Sequence, residues 1–469
     1  MPMQTETLTP ATDASEIPKL VAKLRDAFES GRTRPIEWRR RQLQRMRAML
    51  EEREADFLDA LAADLGKPRL EGWASDIAIV INEIEHALRH LAGWMKPERV
   101  WTPLAQRPGR ATVRPEPFGV ALVIAPWNYP VHLLLLPMVG ALAAGNSVVG
   151  KPSEVSAHTS AALARFVPEY LDPDGVAIVE GGVTETQALL AERFDYIFYT
   201  GNGRVGRIVM EAAAKHLTPV TLELGGKSPV IVDATANVEV AARRIAFGKF
   251  LNAGQTCIAP DYVLVARARY EELVENIGRA IRDFYGPDPA VSPDYARIVN
   301  DAHFRRLEQL LTGGTPAVGG ETRAEERYVA PTVLRDVEPG SPVMTEEIFG
   351  PILPVVPVTD VDEAIGFVNE RDRPLALYVF SESDAVQERV LEQTSSGGAC
   401  VNATVLHVAV PDLPFGGVGA SGMGAYHGKA GFDVFSHRKS VLAKPTRLDP
   451  KLAYPPYTKL KERIIRRFL

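Results

Sequence analysis

From position 119 onward, short apolar runs alternate with longer segments of helical period. The runs fall at 120–125, 147–150, 175–179, 196–200, 220–224 and 230–232. Continuously apolar strands of this length bury both faces, and helices between them imply parallel crossovers. The pattern predicts a doubly wound α/β domain. A second α/β unit is predicted over about 225–419, with a helix near 238–251 and strands near 262–265 and 375–380. Upstream, residues 1–16 are polar and Thr-rich and are expected to fray. Two helical patterns follow and stop at Gly66-Lys67-Pro68. In the second, Leu43, Met46 and Leu50 repeat at helical spacing. The stretch 100–117 holds Pro103, Pro108, Pro115 and Pro117 and reads as an extended hairpin or arm outside the core.

A chain of 469 residues exceeds one ordinary core, so two or three domains are expected. The net charge of −6 gives no general attraction to nucleic acid. With Cys257 and Cys400 alone, a disulfide framework is excluded and a reducing compartment fits a free thiol. No signal-peptide pattern opens the chain. The longest apolar run, 131–144, is broken by His132, Pro137 and Gly140 and falls short of the roughly twenty residues that span a bilayer. The expectation is a soluble, cytoplasmic protein. The tail adds a second option, peripheral membrane contact. Residues 438–469 carry ten Lys or Arg against two acids, and Leu460, Ile464 and Phe468 fall at i, i+4, i+8. A basic amphipathic helix of this kind can lie on an anionic membrane; packing on the body or fraying in solvent is the plainer alternative.

The candidate chemistry centres on Cys257, in Gly254-Gln255-Thr256-Cys257, and Glu223, in Leu222-Glu223-Leu224-Gly225-Gly226-Lys227-Ser228-Pro229. A thiol and a carboxylate on small-residue segments are the two groups needed to make and then hydrolyse a thioester. Gly201-Asn202-Gly203-Arg204-Val205-Gly206 follows a predicted strand and opens a helix, matching G-x-G-x-x-G. Its backbone N–H groups favour a pyrophosphate, though a tight structural turn reads the same. The dinucleotide template also wants an acid about twenty residues on, which places Glu223 between two roles, ribose ligand and base. Lys151 and Glu154, in Lys151-Pro152-Ser153-Glu154, end another strand and could hold a ribose instead, or be surface charges. Asn128 stands between Pro126 and Pro130, where its amide could donate to an oxyanion or cap the following helix. Cys400 and His407 read as packing residues, with His407 also a candidate for the substrate mouth. No metal-ligand spacing is found.

Asn128 in Pro-Trp-Asn-Tyr-Pro, Lys151 in Lys-Pro-Ser-Glu, Glu223 in Leu-Glu-Leu-Gly-Gly-Lys-Ser-Pro and Cys257 in Gly-Gln-Thr-Cys occur in order. Glu346-Glu347-Ile348-Phe349-Gly350-Pro351 and Pro414-Phe415-Gly416-Gly417-Val418-Gly419 follow them. Together these motifs resemble the aldehyde dehydrogenase superfamily over nearly the whole chain. The segments 218–223, 260–262 and 421–428 resemble its class 3, fatty- or aromatic-aldehyde branch.

The resemblance implies NAD(P)+-dependent oxidation of medium- to long-chain aliphatic or aromatic aldehydes to acids. Cys257 is then the nucleophile, Glu223 the general base and Asn128 an oxyanion donor. It places Glu347 on the nicotinamide ribose, Phe349 against the nicotinamide, and Lys151 and Glu154 at the adenosine ribose. The phosphates fall to Gly201, Asn202, Gly203, Arg204, Val205 and Gly206. The cofactor is NAD or NADP; Glu154 favours NAD by repelling a 2′-phosphate, with Lys151 acting against it. The implied domains are a cofactor domain (1–98 and 119–224), a catalytic domain (225–419), an oligomerisation arm (99–118 and 420–445) and a basic tail (446–469). A homodimer is implied by analogy. One departure is Gly201-Asn202-Gly203, where relatives more often carry Gly-Ser-Thr; Gly203 lacks a hydroxyl that could cap the helix or touch phosphate. A coenzyme A-acylating or acyl-reducing relative, or a non-catalytic binding protein of the same fold, is the alternative.

Overall fold

Along the strand Val120–Ile124 the side chains alternate between two cores. Val120, Leu122 and Ile124 pack with Val21 and Leu24 of the helix Ile17–Glu29. Ala121 and Val123 face the other core, which contains the helix His132–Ala144. Both faces are covered, which is why the strand is apolar throughout. The computed structural model describes residues 11–447, 449 and 451–468.

The first large sheet runs Val176–Ile178, Ser147–Lys151, Val120–Ile124, Tyr196–Gly201 and Val220–Leu224, all parallel. A short antiparallel strand, Gly422–Met423, closes its edge beside Glu223. The chain works outward from 120–124 to 176–178 and then returns to the other side at 196–201. That reversal opens a crevice at the carboxyl ends of the strands, where ligands bind in such sheets.

The second sheet runs Thr315–Val318, Thr332–Arg335, Ile352–Val358, Tyr262–Ala266, Pro229–Val232, Ala376–Phe380 and Gly398–Val401. It is parallel except at Thr315–Val318. A third, antiparallel sheet joins Glu98–Val100 and Arg110–Pro117 to Ser436–Ala443. The stretch expected to form a hairpin or arm supplies the strand Arg110–Pro117 of this sheet, and near it Trp101 is 72% and Leu104 61% exposed.

Two expectations are corrected. Three helices, not two, precede Gly66: Ile17–Glu29, Ile36–Glu52 and Glu54–Leu65. The last two are separated only by Arg53, and no Gly or Pro marks that break. Residues 11–16 are anchored rather than frayed. The Thr12 N–H donates to the Glu180 carbonyl at 3.1 Å, and Asp13 caps a short helical turn, Ala14–Glu16. Residues 1–10 lie outside the described residues.

The helix His132–Ala144 is apolar on every side and wholly buried. It meets the helix Gly428–Val434 at Gly140, where a Cβ would fall 2.8 Å from the Gly431 carbonyl oxygen. Gly140→Val should therefore destabilise the protein by about 1–3 kcal/mol, as overpacking of a core does, read as a lower denaturation midpoint. An unchanged midpoint would show that the two helices separate freely.

Candidate active site

The loop bearing Cys257 begins where the helix Val238–Phe250 ends in a turn, Leu251–Gly254. Asn252 and Ala253 both take left-handed backbone angles, with φ 51° and 50°. At Gly254 a Cβ would fall 2.2 Å from the Gly350 carbonyl oxygen, so only glycine lets the loop lie against the Glu-Ile-Phe-Gly-Pro segment. Buried Gln255 braces the turn. Its amide donates to the carbonyls of Asn252 at 2.9 Å and Arg297 at 3.0 Å, and its Oε1 accepts from Val299 N–H at 3.0 Å. Thr256 and Tyr129 share a hydroxyl contact of 2.6 Å. Cys257 is thereby fixed in the wall of a cavity of about 560 Å³. Leu70, Ile79, Leu133, Phe247, Val405 and Leu406 give much of the remaining lining.

Asn128 reaches this loop from the end of the strand Val120–Ile124. Its Nδ2 donates to the Gln255 carbonyl at 3.0 Å, two residues from the thiol. Glu223 is 2% exposed near the end of Val220–Leu224, and neither carboxylate oxygen meets a protein donor. Burial pushes its pKa well above the usual carboxylate range. Burial also raises Glu347 to about 7, with Asp261 adding to the effect. The Cys257 thiol is pushed up to about 12, first by burial and then by the fields of Glu347 and Glu223. Thiol and carboxylates therefore share one electrostatic environment.

The segment bearing Glu347 and Phe349 is held from three directions. Lys227 Nζ donates to the carbonyls of Val343 at 2.9 Å and Glu346 at 2.7 Å, and pairs with Asp261. Asp261 Oδ1 accepts from Ile348 N–H at 3.0 Å. Arg306 donates to the carbonyls of Glu347 at 3.2 Å and Ile348 at 2.6 Å. Phe349, left-handed at φ 46°, stands edge-on to Trp127 with ring centres 5.4 Å apart.

Farther along the crevice, Lys151 Nζ pairs with Glu154 at 3.2 Å. Two strand spacings away, about 10 Å, Gly201 ends its strand and Gly203 opens a helix, Gly203–Ala214. Asn202 caps that helix, accepting from Val205 N–H at 3.0 Å. The cap missing from Gly203 is thus supplied by Asn202. The amides of Gly203 and Arg204 remain as first-turn donors.

Cys400 does not simply pack. It lies half-buried on the edge strand Gly398–Val401, with its Sγ 3.2 Å from His407 Nδ1. His407 belongs to the short helix Leu406–Ala409, whose Leu406, Val408 and Ala409 line the cavity while His407 does not. Three residues unmarked by any motif join the site: Lys67, Glu71 and Asp76. Lys67 Nζ donates to the Asn128 carbonyl at 3.1 Å, and Glu71 lines the cavity. Charges in a helical stretch read as a solvated face, and no spacing signal distinguishes these.

The sequence model of the aldehyde dehydrogenase family matches residues 2–441. Aldehyde dehydrogenase family 3 member A2 of Mus musculus is 52% identical over 443 residues, covering 94% of this chain and 92% of that protein. The dimeric NADP-preferring aldehyde dehydrogenase of Mus musculus is 50% identical over 444 residues, covering 94% and 98%. A solved structure of the substrate-bound state of Staphylococcus aureus AldH superposes with a TM-score of 0.94 at 45% identity, covering 96% of this chain and 99% of that one. The chain belongs to the aldehyde dehydrogenase family. It is an enzyme that oxidises aldehydes with NAD or NADP, and its relatives include members of family 3.

The electrostatics can be checked on the thiol directly. With Cys400→Ser removing the second thiol, Glu347→Gln should speed iodoacetamide alkylation of Cys257 severalfold at pH 8. A raising field is lost there, and the thiolate is the reactive form. An unchanged rate would mean that Glu347 and the thiol do not interact.

Proposed function

We propose that Cys257, Glu223 and Asn128 carry the oxidation. The observation behind this reading is a cysteine set in the wall of an apolar cavity, beside a buried carboxylate with no protein partner. Cys257 Sγ bonds to the aldehyde carbon as its thiol proton passes to bulk water through the cavity mouth, and the carbonyl π bond opens onto the oxygen. The resulting oxyanion accepts from the Cys257 N–H and from the Asn128 amide, whose second N–H is not used on Gln255. A dinucleotide held at Glu347 and Phe349 would supply the hydride acceptor that oxidation of the adduct to a thioester on Sγ requires. Glu223 then removes a proton from water as the water oxygen adds to the thioester carbonyl, and Sγ departs with the acid released. Its raised pKa makes Glu223 a strong base once ionised, so hydrolysis should accelerate with rising pH, above the usual carboxylate range.

The residues present fit a dinucleotide. Glu347 Oε1 is buried without a partner, and at Gly225 a Cβ would fall 2.1 Å from Glu347 Oε2, so that position must stay bare. Lys151 and Glu154 would hold the adenosine ribose and the helix start at Gly203 the phosphates. Glu347 would hold the nicotinamide ribose, with Phe349 against the ring. NAD is the favoured cofactor because the half-exposed Glu154 carboxylate repels a 2′-phosphate.

The apolar cavity suits medium- to long-chain aliphatic or aromatic aldehydes. A water-activating carboxylate argues against transfer to coenzyme A. The domains follow the two sheets, 1–98 with 119–224 and then 225–419, with 99–118 and 420–445 as the arm. A homodimer built through that arm is supported by its exposed Trp101 and Leu104 and by the relative named as dimeric. No helix among the described residues is long and apolar enough to cross a membrane. The tail 446–469 contains the helix Lys459–Phe468, with Leu460 64% exposed; the Phe468 side chain lies outside the described residues. The tail is assigned a peripheral contact with anionic membranes.

The main test is cofactor reduction with NAD+ and NADP+ across aliphatic aldehydes of rising length and benzaldehyde. Cys257→Ala should abolish turnover and spare cofactor binding. Glu223→Gln should give a burst of reduced cofactor, then slow acid release at roughly 10²- to 10⁴-fold below the native rate. Full steady-state turnover in Glu223→Gln would remove it as the base. For the tail, flotation with phosphatidylserine vesicles should recover the full chain and lose protein truncated at Tyr457; equal recovery would dismiss the membrane role.

A further inference from the structure

Between the helix Glu54–Leu65 and the rest of the fold, residues 67–76 form a short helical segment, Arg69–Gly72, continued by a wide π-type turn, Trp73–Ala78. Turns of that kind often mark functional sites. Three charged side chains from this segment reach both loops of the active site. Lys67 Nζ donates to the Asn128 carbonyl at 3.1 Å and pairs with Asp76 at 2.7 Å, both side chains fully buried. Asp76 Oδ1 accepts from Val131 and His132 N–H at 3.2 and 3.3 Å. Glu71 Oε1 accepts from the Asn252 N–H at 2.8 Å, across 181 positions of sequence.

That last bond falls at a strained place. Asn252 sits at φ 51°, ψ 34°, a left-handed conformation that a non-glycine residue keeps only when its surroundings hold it. The Asn252 side chain in turn donates to the carbonyls of Asn128 at 2.9 Å and Gln255 at 3.2 Å. The Gln255 carbonyl also accepts the Asn128 amide. Glu71, Asn252, Asn128 and Gln255 thus form one chain of contacts ending two residues before Cys257. We propose that Glu71 is a positioning residue for the nucleophile, its carboxylate holding the Asn252 amide so that Cys257 and Asn128 keep their mutual placement. The inference rests on the reading of Cys257 as nucleophile and goes beyond it.

Glu71 lines the substrate cavity, so its charge is open to pH. Burial pushes it up to about 7, opposed by Lys67 and by the Asn252 N–H, with Asp76 acting to raise it. The other ionisable groups around it are Tyr129, Tyr285 and Tyr295, with Asp294 in the same cavity wall. Above pH 7 the ionised carboxylate makes the stronger, charge-assisted bond to Asn252. Below it, the neutral carboxyl accepts no better than an amide would.

The test uses Cys400→Ser enzyme carrying Glu71→Leu or Glu71→Gln. Iodoacetamide alkylation of Cys257 without cofactor and kcat per titrated site are both measured. Glu71→Leu should lower both about 10-fold, as loss of a charged hydrogen bond to a strained amide would, and leave dinucleotide affinity unchanged. Glu71→Gln keeps an acceptor and should restore most of the loss. The quotient of wild-type to Glu71→Gln rates should rise with pH through about 7 and then level, the other titrations cancelling.

Native rates in Glu71→Leu, a Gln variant no better than Leu, or a flat quotient would each overturn the proposal. If Glu71→Leu does not fold, the Gln quotient alone decides. Turnover surviving in Cys257→Ala would instead sink the nucleophile assignment, so the two failures are distinguishable.

Discussion

Two buried carboxylates dominate this site, Glu223 with no protein partner at either oxygen and Glu347 with none at Oε1. A buried, unpaired carboxylate costs several kcal/mol, and proteins usually avoid the cost by moving the group or neutralising it. Here Glu223 is held in place by the strand Val220–Leu224, paired on one side with Tyr196–Gly201 and on the other with Gly422–Met423. Glu347 is held by Lys227, Asp261 and Arg306, which fasten the backbone around it. Both groups shift toward the protonated form, and the Cys257 thiol between their fields stays protonated as well. Burial thus disfavours charge on all three groups at once.

The rigidity needed to hold those groups comes from backbone close approaches. Gly254 against Gly350, Gly225 against Glu347 and Gly140 against Gly431 are contacts that any side chain would fill. They join the nucleophile loop to the segment carrying Glu347 and lock the buried helix beneath Asn128. The glycine-rich motifs of the chain thus have two kinds of work. Gly201 and Gly203 frame a helix start, whereas Gly225 and Gly254 let two segments of the site touch.

Much of this was legible in the sequence. The strands of the first sheet lie within a residue or two of their apolar runs, because burial on both faces leaves an uninterrupted signature. Cys257, Glu223 and Asn128 were readable as candidate chemistry from their small or rigid neighbours, whereas Glu347 came only through the family resemblance. Other features left no local trace. The order of strands follows from packing rather than from any one segment. The break at Arg53 has no glycine or proline to announce it. Lys67, Glu71 and Asp76 look like an exposed helical face, and only the tertiary fold turns them inward onto loops far away in sequence. Of the left-handed pair Asn252–Ala253, Asn is a residue type that tolerates that conformation, but Ala253 gives no such signal.

The strand Ser436–Ala443 completes the arm, and the basic tail departs directly from its end. An assembly that joins two arms about a twofold axis therefore brings out two tails as one unit. Each tail is short, with a single amphipathic helix, and would hold a charged surface only weakly by itself. If the proposed membrane contact forms, two tails on one assembly would act through effective concentration, the second meeting the surface at roughly millimolar local density. Retention would then depend steeply on subunit pairing, so dilution below the assembly threshold would release the enzyme without any change in the tail.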